Sequence, residues 1–74
     1  MRCKIISPTC LVFEGEVQRV ELPSVQGRMV VLSHHAPLLA VLQGGKVVAG
    51  NQPFSITGGI ARVKDDEILI MTDE

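Results

Sequence analysis

Two adjacent histidines, His34 and His35, are the residues of this chain whose types best suit metal or acid–base chemistry. Neighbouring side chains of an extended segment point to opposite faces, so the pair cannot easily bind one metal ion. Zinc sites usually show ligands paired at short spacing, and no Asp, Glu or Cys follows the histidines closely. Hydrogen bonding or partner contact is therefore favoured for these histidines, and no metal is expected.

Cys3 and Cys10 are compatible with one disulfide or with two reduced packing residues. No leader-like apolar segment follows Met1, because Ile5-Ile6 leads directly into a Ser-Pro turn. A cytosolic location is expected on that ground, and it favours two reduced thiols packed among apolar neighbours.

An acidic run, Asp65-Asp66-Glu67, and a glycine pair, Gly58-Gly59, also attract attention. Turn chemistry explains the aspartates, and calcium would need a longer acidic loop. No Gly-Lys-Ser/Thr follows the glycines, so they mark a sharp bend or a close approach to another stretch of backbone, not a phosphate loop. Because no nucleophile elbow is present either, we expect a protein that is not an enzyme and binds no cofactor.

The composition narrows the class of protein further. The 74 residues are 46% apolar but include only two aromatic residues, and the net charge is -1. This excludes a disordered chain, and the absence of a basic stripe or stacking aromatics argues against a nucleic-acid module. The apolar runs are too short to cross a membrane. A domain of this length buries only about 60% of its unfolded surface, so either the core is unusually efficient or some apolar surface serves a partner.

The elements that must position these residues are predicted to be strands, because β-branched residues are dense and Gly or Pro recurs at short intervals. The pattern predicts one all-β domain, residues 1–74, built as a sandwich or a flattened barrel. The predicted strands are residues 4–7, 11–13, 16–22, 28–32, 38–42, 46–49, 53–57, 60–64 and 67–72.

Three of these strands, residues 29–32, 38–42 and 68–71, are apolar on both faces. A half-exposed antiparallel strand should alternate, so a protein-binding face is favoured over burial at barrel rims. The residues expected in the core are Val20, Leu22, Val31, Ile56, Val63 and Ile70. Exposed or interfacial positions are expected among Met29, Leu39, Val41, Leu69 and Met71.

Three collinear blocks cover nearly the whole chain. They are Ile6-Ser7-Pro8 with residues 12–17 and 20–23, then residues 27–39 with His35-Ala36-Pro37-Leu38, then residues 54–63 with Thr57-Gly58-Gly59 and the closing residues 68–73. In this order the blocks resemble the N-terminal domain of the epsilon subunit of F-type ATP synthases.

The resemblance implies a flattened ten-stranded β-sandwich of two five-stranded sheets at the foot of the rotating central stalk. It implies a cytoplasmic, non-catalytic rotor subunit, peripheral to the inner membrane, that binds the gamma subunit and contacts the c-ring without inserting into the membrane. Such a subunit couples ion-driven rotation to ATP synthesis. The partner-binding residues that the resemblance implies are Arg28, Met29, His35, Ala36, Pro37 and Leu38.

The chain departs from the family pattern at three positions. Val30 stands where Gly is usual, Ser33 where Pro is usual, and Arg28 at a position that is often acidic and near the ring. These changes leave open a stand-alone β-sandwich adaptor that no longer joins a synthase and self-associates through its apolar sheet face. A small metal-dependent enzyme using His34 or His35 is a third hypothesis. Relatives usually continue into a helical hairpin, so inhibition and nucleotide binding are not expected of a chain that stops at Glu74.

Overall fold

Dense β-branched residues favour extended backbone along almost the whole chain. The computed structural model describes residues 1–74 and contains seven strands that form one continuous sheet, ordered β2-β1-β7-β6-β5-β3-β4. All neighbours pair antiparallel except β1 and β7, which run parallel. The strands are β1 (Arg2–Ile6), β2 (Leu11–Glu16), β3 (Arg19–Ser24), β4 (Gly27–Leu32), β5 (Leu38–Ala49), β6 (Gln52–Lys64) and β7 (Glu67–Thr72).

The all-β class is confirmed, but ten strands in two five-stranded sheets are not. The expected breaks at Gly44-Gly45 and Gly58-Gly59 do not end the strands, because β5 and β6 stay paired on both sides of them. The cross-strand partners continue from Leu42 opposite Gly59 to Gly45 opposite Ile56. Two long strands therefore replace four short ones, and a single sheet replaces two.

The sheet curls until its distant strands touch. β2 and β6 are three steps apart in the sheet, or about 14 Å if the sheet were flat. The rings of Phe13 on β2 and Phe54 on β6 nevertheless lie 5.3 Å apart, centroid to centroid. Beyond β4, the backbone N–H of His34 donates to Asp66 Oδ1 in the β6–β7 turn at 2.7 Å. The two halves of the sheet thus face each other.

One core lies between these halves. Strand alternation supplies it, since β7 buries Ile68 and Ile70 while Leu69 and Met71 point outward. All six residues expected in the core are buried, which confirms that prediction. Leu39, Val41 and Met71 are exposed, as expected for some of their group. The buried apolar residues are Met1, Cys3, Ile5, Val20, Leu22, Val31, Ala40, Leu42, Val47, Ala49, Ile56, Ala61, Val63, Ile68 and Ile70.

The connection between β6 and β7 is a two-residue hairpin turn, since Lys64 and Glu67 are cross-strand partners. Asp65 and Asp66 both have positive φ, 54° and 58°. Positive φ at both central positions is the mark of a type I′ turn, whose twist matches that of the flanking strands. The turn role predicted for the two aspartates is confirmed.

Gly59 allows β6 and β7 to approach closely. Its φ is 154°, and a Cβ there would collide with the Met71 carbonyl oxygen and lie 3.0 Å from Thr72 Cα. Both obstacles are backbone atoms of the paired strand, so neither can move without breaking the pairing. The close approach expected at this glycine pair is therefore made to β7 of the same chain.

We predict that Gly59→Ala lowers the free energy of unfolding by about 1–3 kcal/mol, because overpacking forces the backbone apart. Gly44→Ala is the matched control, since its Cβ would meet nothing closer than 3.5 Å. Urea denaturation of both variants measures the difference. Equal stability of the two variants would contradict the role given to Gly59.

Candidate partner-binding surface

The residues that the resemblance singles out do not form one cluster. Arg28 and Met29 begin β4, whereas His35, Ala36 and Pro37 follow its other end and Leu38 opens β5. Leu32 is four residue steps along the strand from Arg28, a length of about 13 Å. The structure therefore divides the six residues between two ends of the molecule.

At the first end, Arg28 is held across three strands. Its Nη1 donates to the Lys46 carbonyl oxygen on β5 at 2.8 Å. Its Nε lies 3.5 Å from Glu21 Oε1 on β3, and the same carboxylate lies 3.4 Å from Arg19 Nη2. Met29 is half-buried and packs against the core. Arg28 is thus an exposed cation in a defined position, whereas Met29 is partly a packing residue.

At the second end, the β4–β5 loop exposes His34 and the three candidate residues His35, Ala36 and Pro37. The His35 backbone N–H donates to the Leu32 carbonyl at 3.2 Å. His35 Nδ1 lies 2.7 Å from the Ala36 carbonyl oxygen, so this nitrogen donates and carries the proton. Leu38 is half-buried and packs against the core. This end therefore presents a short exposed loop, with both polar and apolar side chains, next to the start of β5.

Asp66 is the anion beneath this loop. The hydrogen bond from the His34 backbone N–H lowers the pKa of its carboxyl below the ordinary 3.8, and the positive charges nearby act in the same direction. They come from the His34 ring when it is protonated, with Nδ1 3.7 Å from Oδ2, and from the Met1 ammonium, also at 3.7 Å. Glu16 shares that ammonium at 3.3 Å.

The most extensive apolar surface lies elsewhere, on the outer face of β5, β6, β7, β1 and β2. Five apolar residues, one from each strand, are cross-strand partners in a single row. Four are exposed and Ile6 is half-buried. Five strands span about 19 Å. We call this row the apolar strip: Val41, Ile60, Met71, Ile6 and Leu11.

The strip is bordered by a mixed row. Leu39, which is 68% exposed, is the partner of Arg62, and Arg62 is the partner of Leu69. Lys4 comes next, and neither it nor Arg62 forms an ion pair. Glu14 on β2 follows Lys4 in this row and is paired with Arg2 at 3.1 Å. The row beside the strip therefore carries two cations without an ion-pair partner and one anion that already has one.

The opposite outer face, on β3 and β4, is less uniform. Val30 and Leu32 are exposed there, but the ion pairs of Glu21 with Arg19 and Arg28 lie between them and the rest of the sheet. The apolar strip has no such charges within its row. We therefore regard it as the better-formed docking surface of the two.

A match to a family model decides the family. The model describes the ATP synthase delta/epsilon chain β-sandwich domain, and it matches residues 1–74. The chain belongs to this family. The sandwich in that description agrees with a sheet that curls until its halves enclose one core.

Curated relatives of this sandwich domain are ATP synthase epsilon chains. The chain is 40% identical over 73 residues to epsilon chain 2 of Nitrobacter hamburgensis and 34% identical over 77 residues to that of Dehalococcoides mccartyi. These alignments cover 93% and 99% of this chain but 54% and 55% of the relatives. The chain thus spans about half the length of the curated relatives it matches.

Solved structures show the same fold. A chain of the central stalk and c-ring structure of the Tetrahymena thermophila mitochondrial ATP synthase superposes with a TM-score of 0.83 at 19% identity, covering 99% of this chain and 63% of that one. A chain of the Euglena gracilis mitochondrial ATP synthase gives 0.86 at 23% identity, covering 97% and 49%.

Two of the departures from the delta/epsilon pattern fit this fold without distortion. Val30, at the position where Gly is usual, points outward and is 43% exposed, so its side chain meets no crowding. Ser33, where Pro is usual, uses its backbone N–H to donate to the Gln18 carbonyl at 3.1 Å. Proline could not make this bond. The sandwich therefore accommodates both substitutions.

The cysteines and the possible metal ligands are dispersed in the delta/epsilon sandwich. Cys3 is buried, as expected of a packing residue, but the same expectation for Cys10 is wrong. Cys10 is exposed because it closes the β1–β2 turn, where its N–H donates to Ser7 Oγ at 3.2 Å. No three His, Cys, Asp or Glu side chains lie close enough together to hold a metal ion. None of the elements is a helix suited to crossing a bilayer.

We predict that iodoacetamide labels only Cys10 of the native chain. Burial raises the pKa of Cys3 to about 11, so at neutral pH this cysteine is a thiol, whereas the thiolate is the form that reacts with iodoacetamide. The Cys3 side chain is also inaccessible to the reagent. Mass spectrometry should find one adduct on the folded chain and two in denaturant. Equal labelling of both cysteines in the folded chain would contradict this account.

We also predict that acid loosens the Asp66 contact. Because its pKa is lower in the folded chain than in the unfolded chain, the stabilisation is present at neutral pH and is lost as pH falls below 3.8 through the lowered value. Thermal unfolding of the wild type should lose stability over this range more steeply than Asp66→Asn, which cannot titrate. Parallel pH profiles would contradict the assignment.

Proposed function

We propose that this chain acts as the β-sandwich domain of an epsilon subunit in the central stalk of an F-type ATP synthase. Its family membership and the exposed apolar strip support the proposal. The role is mechanical and non-catalytic: the domain joins the rotating stalk to the ring and transmits rotation. It lies on the cytoplasmic side, peripheral to the inner membrane, as part of the complex.

The gamma subunit is the proposed occupant of the apolar strip. Val41, Ile60 and Met71 are 55%, 41% and 37% exposed, so a partner that covered them would remove apolar surface from water. Each such side chain would contribute roughly 1 kcal/mol of gross binding energy. The unpaired Arg62 and Lys4 beside the strip favour a gamma surface that is apolar at its centre and acidic at its edge.

The loop from His35 to Pro37 is proposed to extend the same contact. It leads through Leu38 directly into β5, where Leu39 and Val41 lie on the outer face. A gamma surface that covers the strip would therefore meet the loop at one end of β5. This supports assigning His35, Ala36, Pro37 and Leu38 to gamma.

Arg28 and Met29 are proposed to face the c-ring. They lie at the opposite end of β4, about 13 Å from the loop, and Arg28 is the exposed group there. Its hydrogen bond to the Lys46 carbonyl and its contact with Glu21 fix the guanidinium in position. A cation at this position favours a polar or acidic ring loop. The curled sheet would then act as a rigid spacer between gamma and ring.

We predict that Ile60→Glu weakens binding to purified gamma subunit from the same genome at least tenfold. A buried, unpaired carboxylate would replace an apolar contact at the centre of the interface. Val30→Glu is the matched control, since Val30 is 43% exposed on the other outer face and should bind like wild type. Isothermal titration calorimetry measures both, and circular dichroism checks the fold.

Loss of binding by Val30→Glu with none by Ile60→Glu would contradict the choice of face. Failure of the wild type to bind gamma at micromolar concentrations would contradict the proposed function. If sedimentation then showed a dimer that Ile60→Glu dissociates, the stand-alone adaptor would replace it.

A further inference from the structure

The second residue of the β4–β5 loop, His34, has an unfavourable backbone conformation. His34 has φ 64°, in the left-handed region that non-glycine residues rarely occupy. Such a conformation is unfavourable for a residue with a Cβ and persists only where surrounding contacts hold it. Without contacts that hold His34 at this φ, the loop would adopt other backbone conformations.

Asp66 supplies the contact made by His34 itself, beside the backbone bonds that Ser33 and His35 donate to Gln18 and Leu32. Its Oδ1 accepts the His34 backbone N–H at 2.7 Å, a charge-assisted bond between residues 32 positions apart in the chain. Its Oδ2 lies 3.7 Å from the His34 ring, whose side chain is 84% exposed. The backbone bond is the shorter and more directional of the two, so it dominates.

Asp66 is itself held firmly. It occupies the second central position of the type I′ turn between β6 and β7 with φ 58°. Asparagine and glycine adopt this conformation more readily than aspartate, so turn geometry alone does not favour a carboxylate here. Asp65, its neighbour, has φ 54° in the same turn but makes no hydrogen bond to the loop. Only one of the two aspartates therefore has a role outside the turn.

We propose that Asp66 is a positioning residue that clamps the start of the β4–β5 loop and so presents His35 and Ala36 in the shape that the partner binds. The clamp links the β6–β7 turn to the loop that joins the edge strand β4 to β5; β4 is not a neighbour of β6 or β7, whereas β5 pairs with β6. The inference rests on the proposed function only for the identity of that partner. A loop held in one shape avoids the ordering cost that a mobile loop incurs on binding.

The test compares Asp66→Gly with Asp65→Gly. Each variant removes one carboxylate from a left-handed position and relieves the same backbone strain, but only the first releases His34. Amide hydrogen exchange followed by NMR at neutral pH should show His34 exchanging at least tenfold faster in Asp66→Gly. Asp65→Gly should exchange like wild type. Asp66→Asn, which keeps an acceptor oxygen, should restore most of the protection.

Gamma affinity is the second readout. Asp66→Gly should bind gamma several-fold more weakly, since only part of its loop population is competent, while Asp65→Gly should bind like wild type. Equal His34 exchange in the two glycine variants would overturn the clamp. Faster exchange with unchanged gamma affinity would overturn its role in presentation. If the wild type does not bind gamma, the proposed function fails, and the exchange comparison alone decides whether the clamp exists.

Discussion

A chain of 74 residues can enclose only one layer of side chains, and this limit governs the rest of the structure. Alternation along the strands sends one face of each into the core, where 19 residues are buried. The sheet must curl to cover that core, and contacts such as Phe13 with Phe54 close it. No segment within residues 1–74 covers the outer faces of the sheet. Apolar residues on those faces, Ile60 and Met71 among them, are therefore exposed on the surface of this domain.

The same curl arranges the candidate surfaces. β4 separates Arg28 at one end from the His35 loop at the other, and β5 carries that loop into the apolar strip. One face and one end can thus serve a first partner, while the other end serves a second. β5 and β6 remain paired on both sides of their glycine pairs. In the proposed assembly, this continuous pairing would let the sheet transmit force from one partner to the other. The sequence alone does not show that the six candidate partner-binding residues fall into two groups.

The sequence was sufficient for local properties and insufficient for long-range ones. Alternation and turn residues identified β7 with its observed bounds and the Asp65-Asp66 turn. They missed the continuity of β5 and β6, because a glycine pair looks the same whether hydrogen bonding stops or continues there. The apolar strip was foreseen only as scattered residues, since the register that aligns Val41, Ile60 and Met71 depends on pairing between distant segments. The bond from His34 to Asp66 joins residues 32 apart and has no local signal.

The central claim is that the apolar strip is the surface that gamma covers. Hydroxyl-radical footprinting of the chain, alone and in complex with gamma, tests it directly, because exposed Met and Leu side chains oxidise readily. The account predicts that oxidation of Met71, Leu39 and Leu11 falls at least several-fold in the complex, while Val30 on the other outer face reacts as before. Unchanged oxidation of Met71 and Leu39 in a formed complex, with protection of Val30 instead, would contradict it.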